Sequence, residues 1–229
     1  MNEIYHIYNR GVEKRKIFQD DFDRFRFVHD LFEFNDKDPA SNTAHHLNLN
    51  KQHIEVKPRY IKKERKPRKL IVKILAFCLM PNHYHLLLQQ TTDRSISQFM
   101  QKLNTGYTMY FNKKYERVGS LFQSTYKFTR ITQESHLIHI PYYIHLNPLD
   151  LTMPQWREKE LKNYKKAVKF LENYRWSSYS DYIGKKNFPS VTQREFLSEF
   201  FDGPKEYKKD TIKWLKEMDL EQIKHLTLE

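Results

Sequence analysis

Residues 70–90 read LIVKILAFCLMPNHYHLLLQQ, and this stretch decides the fold. Leu70 to Met80 is an apolar run typical of a buried strand, and His83 to Gln90 resumes as a second strand. Pro81 and Asn82 lie between them and favour a turn, since both residue types are common in tight connections. The stretch therefore predicts two strands that pair as an antiparallel hairpin.

Segments on both sides extend this hairpin to the order β-α-β-β-α-β. Ile4 to Val12 predicts a strand, and a helix capped by Asp20 or Asp21 follows it. Beyond the hairpin, Ser95 opens a helix through a capping box, and Leu121 to Ile131 alternates as a fourth strand. This order predicts an α+β fold of the ferredoxin-like kind, in which an antiparallel sheet carries its helices on one face.

The rest of the chain is predicted to be helical. Glu134 to Asn147 predicts a third helix, in which Pro141 either causes a kink or marks the first turn. The composition changes after about residue 150. We therefore expect residues 1–150 to form one domain and residues 151–229 to form a helical extension packed on it.

The overall composition indicates a soluble protein that binds a polyanion. The 229 residues include 40 Lys+Arg and 28 Asp+Glu, a net charge of +12 with histidine neutral. The single cysteine, Cys78, excludes a disulfide framework and Cys-rich zinc modules and is typical of a reducing cytoplasm. The longest uninterrupted apolar run, Ile74 to Met80, is too short to cross a bilayer, so we expect a cytoplasmic protein with no membrane partner.

A basic segment interrupts the pattern between the first helix and the hairpin. From Asp36 to Lys69 no periodicity holds, and residues 51–69 carry nine Lys/Arg against Glu55 and Glu64. Two interpretations stay open for this insertion. It is either a solvated excursion or a contact with nucleic acid.

Two histidines in the hairpin are candidates for metal binding. Residues two apart on a strand point to the same face, so His83 and His85 should project together while Tyr84 points away. Neutral imidazole is a good ligand for divalent transition metals. The alternative is a pair of histidines on a polar sheet face, with no metal.

The third predicted helix carries a second candidate pair. Tyr143 and Asn147 are four residues apart and share a helix face, and an amide oxygen is a ligand for Mg²⁺ or Mn²⁺. A tyrosine beside a cation can act as a nucleophile, because the cation helps the phenol to ionise. The alternative is an aromatic helix face that packs on the sheet.

Four motifs together resemble those of the single-tyrosine HUH transposases and, within them, the REP-associated tyrosine transposases. The motifs are PNHYHLLL at 81–88, GSLFQSTYK at 119–127, YIHLNP at 143–148 and YRWSSYSDYIG at 174–184. Two motifs depart from that family. Ser124-Thr125 stands where the family usually has Gly-Arg, and Leu149-Asp150-Leu151 follows Pro148 where Val-Arg-Ala is usual. We expect these changes to alter the preferred DNA sequence more than the chemistry.

The resemblance implies a transposase that cleaves and rejoins single-stranded, hairpin-containing DNA through a 5′-phosphotyrosine bond. It places Tyr143 as the nucleophile and assigns His83, His85 and Asn147 to a Mg²⁺ or Mn²⁺ ion. The nuclease domain would be residues 1–150, with the basic insertion at 36–69. The resemblance leaves open whether the protein is a monomer or a homodimer.

Basic residues outside the insertion are candidates for contact with the DNA backbone, with aromatic residues stacking on unpaired bases. They are Lys102, Lys113, Lys114, Lys127 and Arg130. Each of them alone is also typical of ordinary surface charge. Two other functions stay open: a relative that binds single-stranded nucleic acid without cleaving it, and a metal nuclease in which water attacks instead of Tyr143.

Overall fold

The sheet of this protein has four antiparallel strands in the order β2-β3-β1-β4. The computed structural model describes residues 3–38 and 68–217. The strands are β1 (Ile4–Arg10), β2 (Val72–Met80), β3 (His83–Gln90) and β4 (Lys127–Ile131). The predicted hairpin is the pair β2 and β3, joined at Pro81 and Asn82.

Three long helices surround the sheet and four more follow in the C-terminal part. The long ones are α1 (Asp21–Glu33), α2 (Ser95–Lys114) and α3 (Glu134–Leu146). The others are α4 (Tyr164–Asn173), α5 (Tyr179–Tyr182), α6 (Glu195–Ser198) and α7 (Pro204–Glu217), with 3-10 turns at Val12–Lys14, Asn147–Leu151 and Pro154–Glu158. Of the two predicted caps, Asp20 is the one that caps α1, and it exchanges hydrogen bonds with Asp23.

The predicted α+β fold with an antiparallel sheet is confirmed, and both faces of the sheet are covered. Ile7, Tyr84 and Leu86 point to one face and share a core with α1 and α2. Ile4 and Leu87 point to the other face, where they share a second core with α3 and with C-terminal residues. The two crossover helices lie on one face as expected, and α3 with the C-terminal part covers the face that carries the histidines.

Strand β4 begins later than predicted, and helix α2 begins at the predicted residue, Ser95, but without the predicted cap. Strand β4 starts at Lys127 and not at Leu121, because the carbonyl groups of Ser124 and Thr125 accept hydrogen bonds from the Asn9 amide instead of a strand neighbour. Helix α2 has no side-chain cap: Arg94 at its start has φ 61°, and the Ser95 hydroxyl accepts from the backbone of Thr91. The predicted capping box at Ser95 is therefore wrong.

Helix α3 continues through Pro141, which lies in its interior. An interior proline costs about 3 kcal/mol because it removes a hydrogen bond and crowds the preceding turn. Pro141 and the five residues after it are buried between the sheet and the C-terminal helices. Packing on both sides of α3 therefore outweighs the local preference to end the helix at the proline.

The outer edge of β2 is covered by the C-terminal part of the chain. The backbone N–H of Leu79 donates to the carbonyl of Trp176 (2.8 Å), and the N–H of Ser178 donates to the carbonyl of Phe77 (3.0 Å). Ile74 exchanges two hydrogen bonds of 2.8 Å with Gln193. A strand edge that would otherwise present unpaired polar groups is thereby satisfied.

Asn35 connects the two segments of the chain that flank the basic insertion. Its side chain accepts from the N–H groups of Ile71 (3.1 Å) and Val72 (2.9 Å) and donates to the carbonyl of Val72 (2.9 Å). Next to it, the N–H of Lys37 donates to the carbonyl of Lys69 (2.9 Å). The two interpretations of the insertion concern mainly residues 39–67, which lie outside the described residues. Within the described ranges, no helix is long and apolar enough to span a membrane.

Candidate active site

Strand β3 brings His83 and His85 to the face of the sheet that α3 covers. Their ring centroids are 5.0 Å apart and the rings are almost perpendicular, at 87°. His85 is fully buried and His83 is 7% exposed. The ring of Tyr8 on β1 lies against both, at 5.6 Å from His83 and 5.2 Å from His85.

Each of the two imidazoles is held through its Nδ1 atom. Asn82 donates its amide N–H to the carbonyl of Lys14, so its Oδ1 accepts the proton of His83 Nδ1 at 2.6 Å. Neutral His83 then carries its lone pair on Nε2, and such a ring-nitrogen lone pair is the group through which an imidazole ligates a metal. His85 Nδ1 shares one proton with Nε2 of His6 across 3.0 Å. Such Nδ1 partners orient histidine ligands in metal sites.

Helix α3 places Tyr143 across from the histidines. Its ring lies edge-on to His85 (5.8 Å between centroids) and to His6 (6.0 Å), and the residue is fully buried. Tyr142 points to the other side of α3, where it stacks on Tyr207 at 4.6 Å. Successive helix residues project about 100° apart, which explains why the two tyrosines have different surroundings.

Asn147 follows α3 directly and is fully buried. Its amide N–H donates to the carbonyl of Tyr143 (2.8 Å), and its Oδ1 accepts from Nη2 of Arg157 (3.2 Å). Arg157 also forms two hydrogen bonds with Asp150, from Nε to Oδ1 (2.9 Å) and from Nη2 to Oδ2 (2.6 Å). Its guanidinium carbon lies 5.7 Å from the centre of the Tyr143 ring.

These residues fit a divalent ion in the chemistry of their donor atoms. Within residues 3–38 and 68–217, no group of three or more His, Cys, Asp and Glu side chains is arranged to hold a metal. A third ligand beside His83 and His85 must therefore be of another type, and an amide oxygen such as Asn147 Oδ1 is one that Mg²⁺ and Mn²⁺ accept. The roles of these residues stay predictions.

Sequence reasoning missed three residues of this site. His6 alternates with Tyr8 along β1, so strand periodicity could have placed it on the face of His83 and His85. Asp150 and Arg157 come from 3-10 turns that have no periodic pattern. Arg157 supplies positive charge beside Asp150, the position at which the sequence lacks the basic residue usual in the family.

The five predicted DNA-binding residues differ in their contacts. Lys114 bonds to Asp20 and Asp23 at 2.7 Å; burial lowers its pKa, but the bonds to Asp20 and Asp23 outweigh this and raise it overall. Lys102 donates to the carbonyl of Asp36 (2.9 Å), and burial lowers its pKa. The other three are exposed: Lys113, Lys127 and Arg130. Of these, Arg130 forms a salt bridge of 2.6 Å with Glu3.

Strand β4 presents different residues on its two faces. Lys127 pairs in register with Tyr8, so it shares the face of the histidines. Phe128 lies on the opposite face and is 58% exposed. Its ring contacts Tyr5 (5.9 Å) and Tyr126 (6.1 Å), which together form a small aromatic surface at the edge of the sheet.

Comparison with known proteins gives one family match and one similar solved structure. Residues 43–147, which contain all four candidate site residues, match the family described as "Transposase IS200 like". Among solved structures, a REP-associated tyrosine transposase bound to a REP hairpin is similar at 11% sequence identity. The similarity covers 83% of this chain and 84% of that chain, with a TM-score of 0.49. Curated proteins give no match. The family match confirms the resemblance that the motifs indicated.

Proposed function

The chain is related to the IS200-like transposases through residues 43–147, and from this premise we propose that it cleaves and rejoins single-stranded DNA through a covalent bond to Tyr143. The REP hairpin is bound to the similar solved structure. For this chain, DNA that carries a hairpin is the substrate that the motifs favour. The observation that carries the proposal is the position of the Tyr143 ring, edge-on to His85 and His6.

The proposed reaction exchanges one phosphodiester for another. The Tyr143 oxygen forms a bond to the scissile phosphorus, and the bond from phosphorus to the 3′ oxygen breaks. The phenol proton is lost to water and the 3′ oxygen takes up a proton, so that a 5′-phosphotyrosine and a free 3′-hydroxyl result. Attack by a 3′-hydroxyl reverses the step and joins strands, without a need for ATP.

His83, His85 and Asn147 are the residues that would hold Mg²⁺ or Mn²⁺ in this proposal. The ion supplies positive charge to a non-bridging phosphate oxygen when it is bound. Asn82 and His6 keep the two imidazoles oriented through Nδ1. Because Tyr143 and Asn147 are fully buried, DNA must open the site locally before the phenol reaches a phosphate.

The DNA backbone would approach along β4. Lys127 extends from the histidine face of that strand, while Phe128 and its aromatic neighbours offer a surface for unpaired bases. Lys113 adds exposed charge at the end of α2. Lys114 has a second role, since its bonds to Asp20 and Asp23 tie α2 to α1.

The test is a covalent adduct on a denaturing gel after incubation with labelled single-stranded DNA and Mn²⁺. We expect Tyr143→Phe to abolish the adduct and to leave DNA binding intact, because it removes one oxygen. Tyr142→Phe is the matched control, since Tyr142 faces Tyr207 and not the histidines. An adduct that survives in the Tyr143 variant and disappears in the Tyr142 variant would show that the other tyrosine is the nucleophile.

Two further outcomes separate the alternatives. Cleaved DNA without an adduct in the wild-type protein would indicate attack by water. Binding without cleavage at any Mg²⁺ or Mn²⁺ concentration would indicate a non-cleaving binding protein, which the family match does not favour.

A further inference from the structure

Arg157 is one of the residues of this site that lie outside the family match. It lies in the 3-10 turn Pro154–Glu158, beyond the matched residues 43–147. Its side chain is 29% exposed, whereas Tyr143 and Asn147 are fully buried. Arg157 therefore reaches the solvent from which DNA arrives, while the predicted nucleophile does not.

Arg157 contacts both a predicted metal ligand and the predicted nucleophile. One guanidinium nitrogen donates to Asn147 Oδ1 (3.2 Å), the predicted metal ligand. The guanidinium carbon is 5.7 Å from the centre of the ring of Tyr143, the predicted nucleophile. A phosphate in contact with the Tyr143 oxygen would thus be within reach of a cationic, fork-shaped donor.

Asp150 holds this guanidinium in the chain without DNA. Its two carboxylate oxygens accept from Nε and Nη2, and Oδ1 also accepts from the indole N–H of Trp156 (2.6 Å). The pair fixes the direction of Arg157 and balances its charge next to a buried site. A phosphate presents the same planar pattern of acceptors as a carboxylate does to guanidinium.

We propose that Arg157 is a catalytic residue, which binds a non-bridging oxygen of the scissile phosphate beside Tyr143. Arginine stays protonated throughout, so it exchanges no proton and acts through charge and hydrogen bonds on the phosphate as the Tyr143 oxygen attacks. Its bond to Asn147 also orients the amide oxygen. This inference rests on the proposed function.

The experiment measures equilibrium binding, so it needs no turnover. The scissile linkage is first mapped with the wild-type protein, and an oligonucleotide with an uncharged methylphosphonate at that linkage is compared with the normal one. In the non-cleaving Tyr143→Phe background, we expect the uncharged linkage to weaken binding about 10-fold, the effect of one charge-assisted hydrogen bond. In Tyr143→Phe/Arg157→Ala, we expect the two oligonucleotides to bind within about 2-fold of each other.

Arg194→Ala is the matched control, since Arg194 pairs with Asp181 at 3.4 Å with a similar exposed fraction of 26%. In the Tyr143→Phe background it should retain the full discrimination between the two oligonucleotides. Thermal unfolding of both arginine variants separates a loss of fold from a loss of contact. Added guanidinium ion should restore adduct formation to Arg157→Ala in the presence of Tyr143.

The outcomes distinguish this inference from the proposed function. Equal discrimination with and without Arg157, together with no rescue by guanidinium, overturns the role of Arg157 while the Tyr143 adduct remains. A wild-type protein that forms no adduct overturns the proposed function and this inference with it.

Discussion

At the scale of single residues, the polar side chains in the interior determine which parts of the chain meet. The strand period was enough to predict that His83 and His85 share a face, because side-chain direction on a strand depends only on the backbone. It was not enough to predict Arg157, whose contacts to Asn147 and Tyr143 depend on how a 3-10 turn packs. Positions set by tertiary contact leave no periodic trace in the sequence.

Asn35→Ala should destabilise the protein by about 2–4 kcal/mol. The substitution removes three buried hydrogen bonds and leaves the N–H groups of Ile71 and Val72 without an acceptor. The measurement is unfolding in urea. Asn163→Ala is the control: this exposed cap of α4 makes one side-chain bond, to Lys166, and should cost about 1 kcal/mol. Equal losses would mean that the Asn35 bonds do not hold the strand.

At the scale of helices and strands, the hydrophobic pattern predicted the buried strands. It failed where a side chain takes the place of a backbone hydrogen-bond partner. The apolar runs of β2 and β3 left little choice of structure, whereas β4 starts late because Asn9 bonds to the carbonyl groups that a longer strand would have paired. Helix α3 spans Glu134–Leu146, close to the predicted range, and includes Pro141 because that part of the helix is buried. The late start of β4 and the burial of α3 both depend on contacts between elements that are far apart in sequence.

Deletion of residues 39–67 should leave the fold intact and weaken the salt dependence of DNA binding. The chain is already closed at Lys37 and Lys69, so a two-residue linker from Asp38 to Arg68 suffices. The deletion removes seven Lys/Arg and two Glu. Each lost phosphate contact makes the negative slope of log K against log salt less steep by about 0.7 for single strands.

The control for this deletion keeps the length and removes the charge. A neutral Gly/Ser linker in place of residues 39–67 should give the same shallow slope as the deletion. If both variants bind with the slope of the wild-type protein, the insertion is a solvated excursion and the contact with nucleic acid lies elsewhere.

Glu172 on α4 should make stability depend on pH in the acid range. Hydrogen bonds from Lys185 and from Lys208 on α7, both 2.6 Å, lower the pKa of Glu172 below its usual 4.5. The unfolded chain therefore binds the proton more readily, so this stabilisation is present above pH 4.5 and is lost as the pH falls below it.

Glu172→Gln should accordingly lower the free energy of unfolding by about 1 kcal/mol or less at pH 7, because the lysines are partly exposed. The difference from the wild-type protein should shrink as the pH falls below about 4. Urea unfolding at several pH values measures it, with Glu160→Gln at an exposed position as control. A difference that stays constant across the range would contradict the assignment to charge.

At the scale of the whole molecule, one of the two apolar cores contains residues from both sides of the boundary that the sequence predicts at residue 150. The division into residues 1–150 and 151–229 stays a prediction. Yet Ile4 and Cys78 belong to the same apolar core as Trp156, Leu171 and Leu215. Composition marked a change at residue 150, but it carries no information on how many contacts cross that point.

Residues 1–150 expressed alone should fail to form a stable monomer. The truncation exposes the outer edge of β2, which Trp176, Ser178 and Gln193 cover in the full chain, together with half of one core. We expect aggregates in size-exclusion chromatography, with the full chain as the reference. A monodisperse fragment with cooperative unfolding would show that the predicted domain folds on its own.

The cover on β2 also has a consequence for synthesis in the cell. Phe77 and its partner Ser178 are 101 residues apart, and ribosomes add about 5–20 residues per second. Strand β2 therefore leaves the ribosome roughly 5–20 s before its partner leaves it. During that interval the nascent chain carries a long apolar strand with one open edge, which other nascent chains can join. The yield of folded protein should then fall when translation between these two points is slowed, and rise when a chaperone shields β2 until its partner emerges.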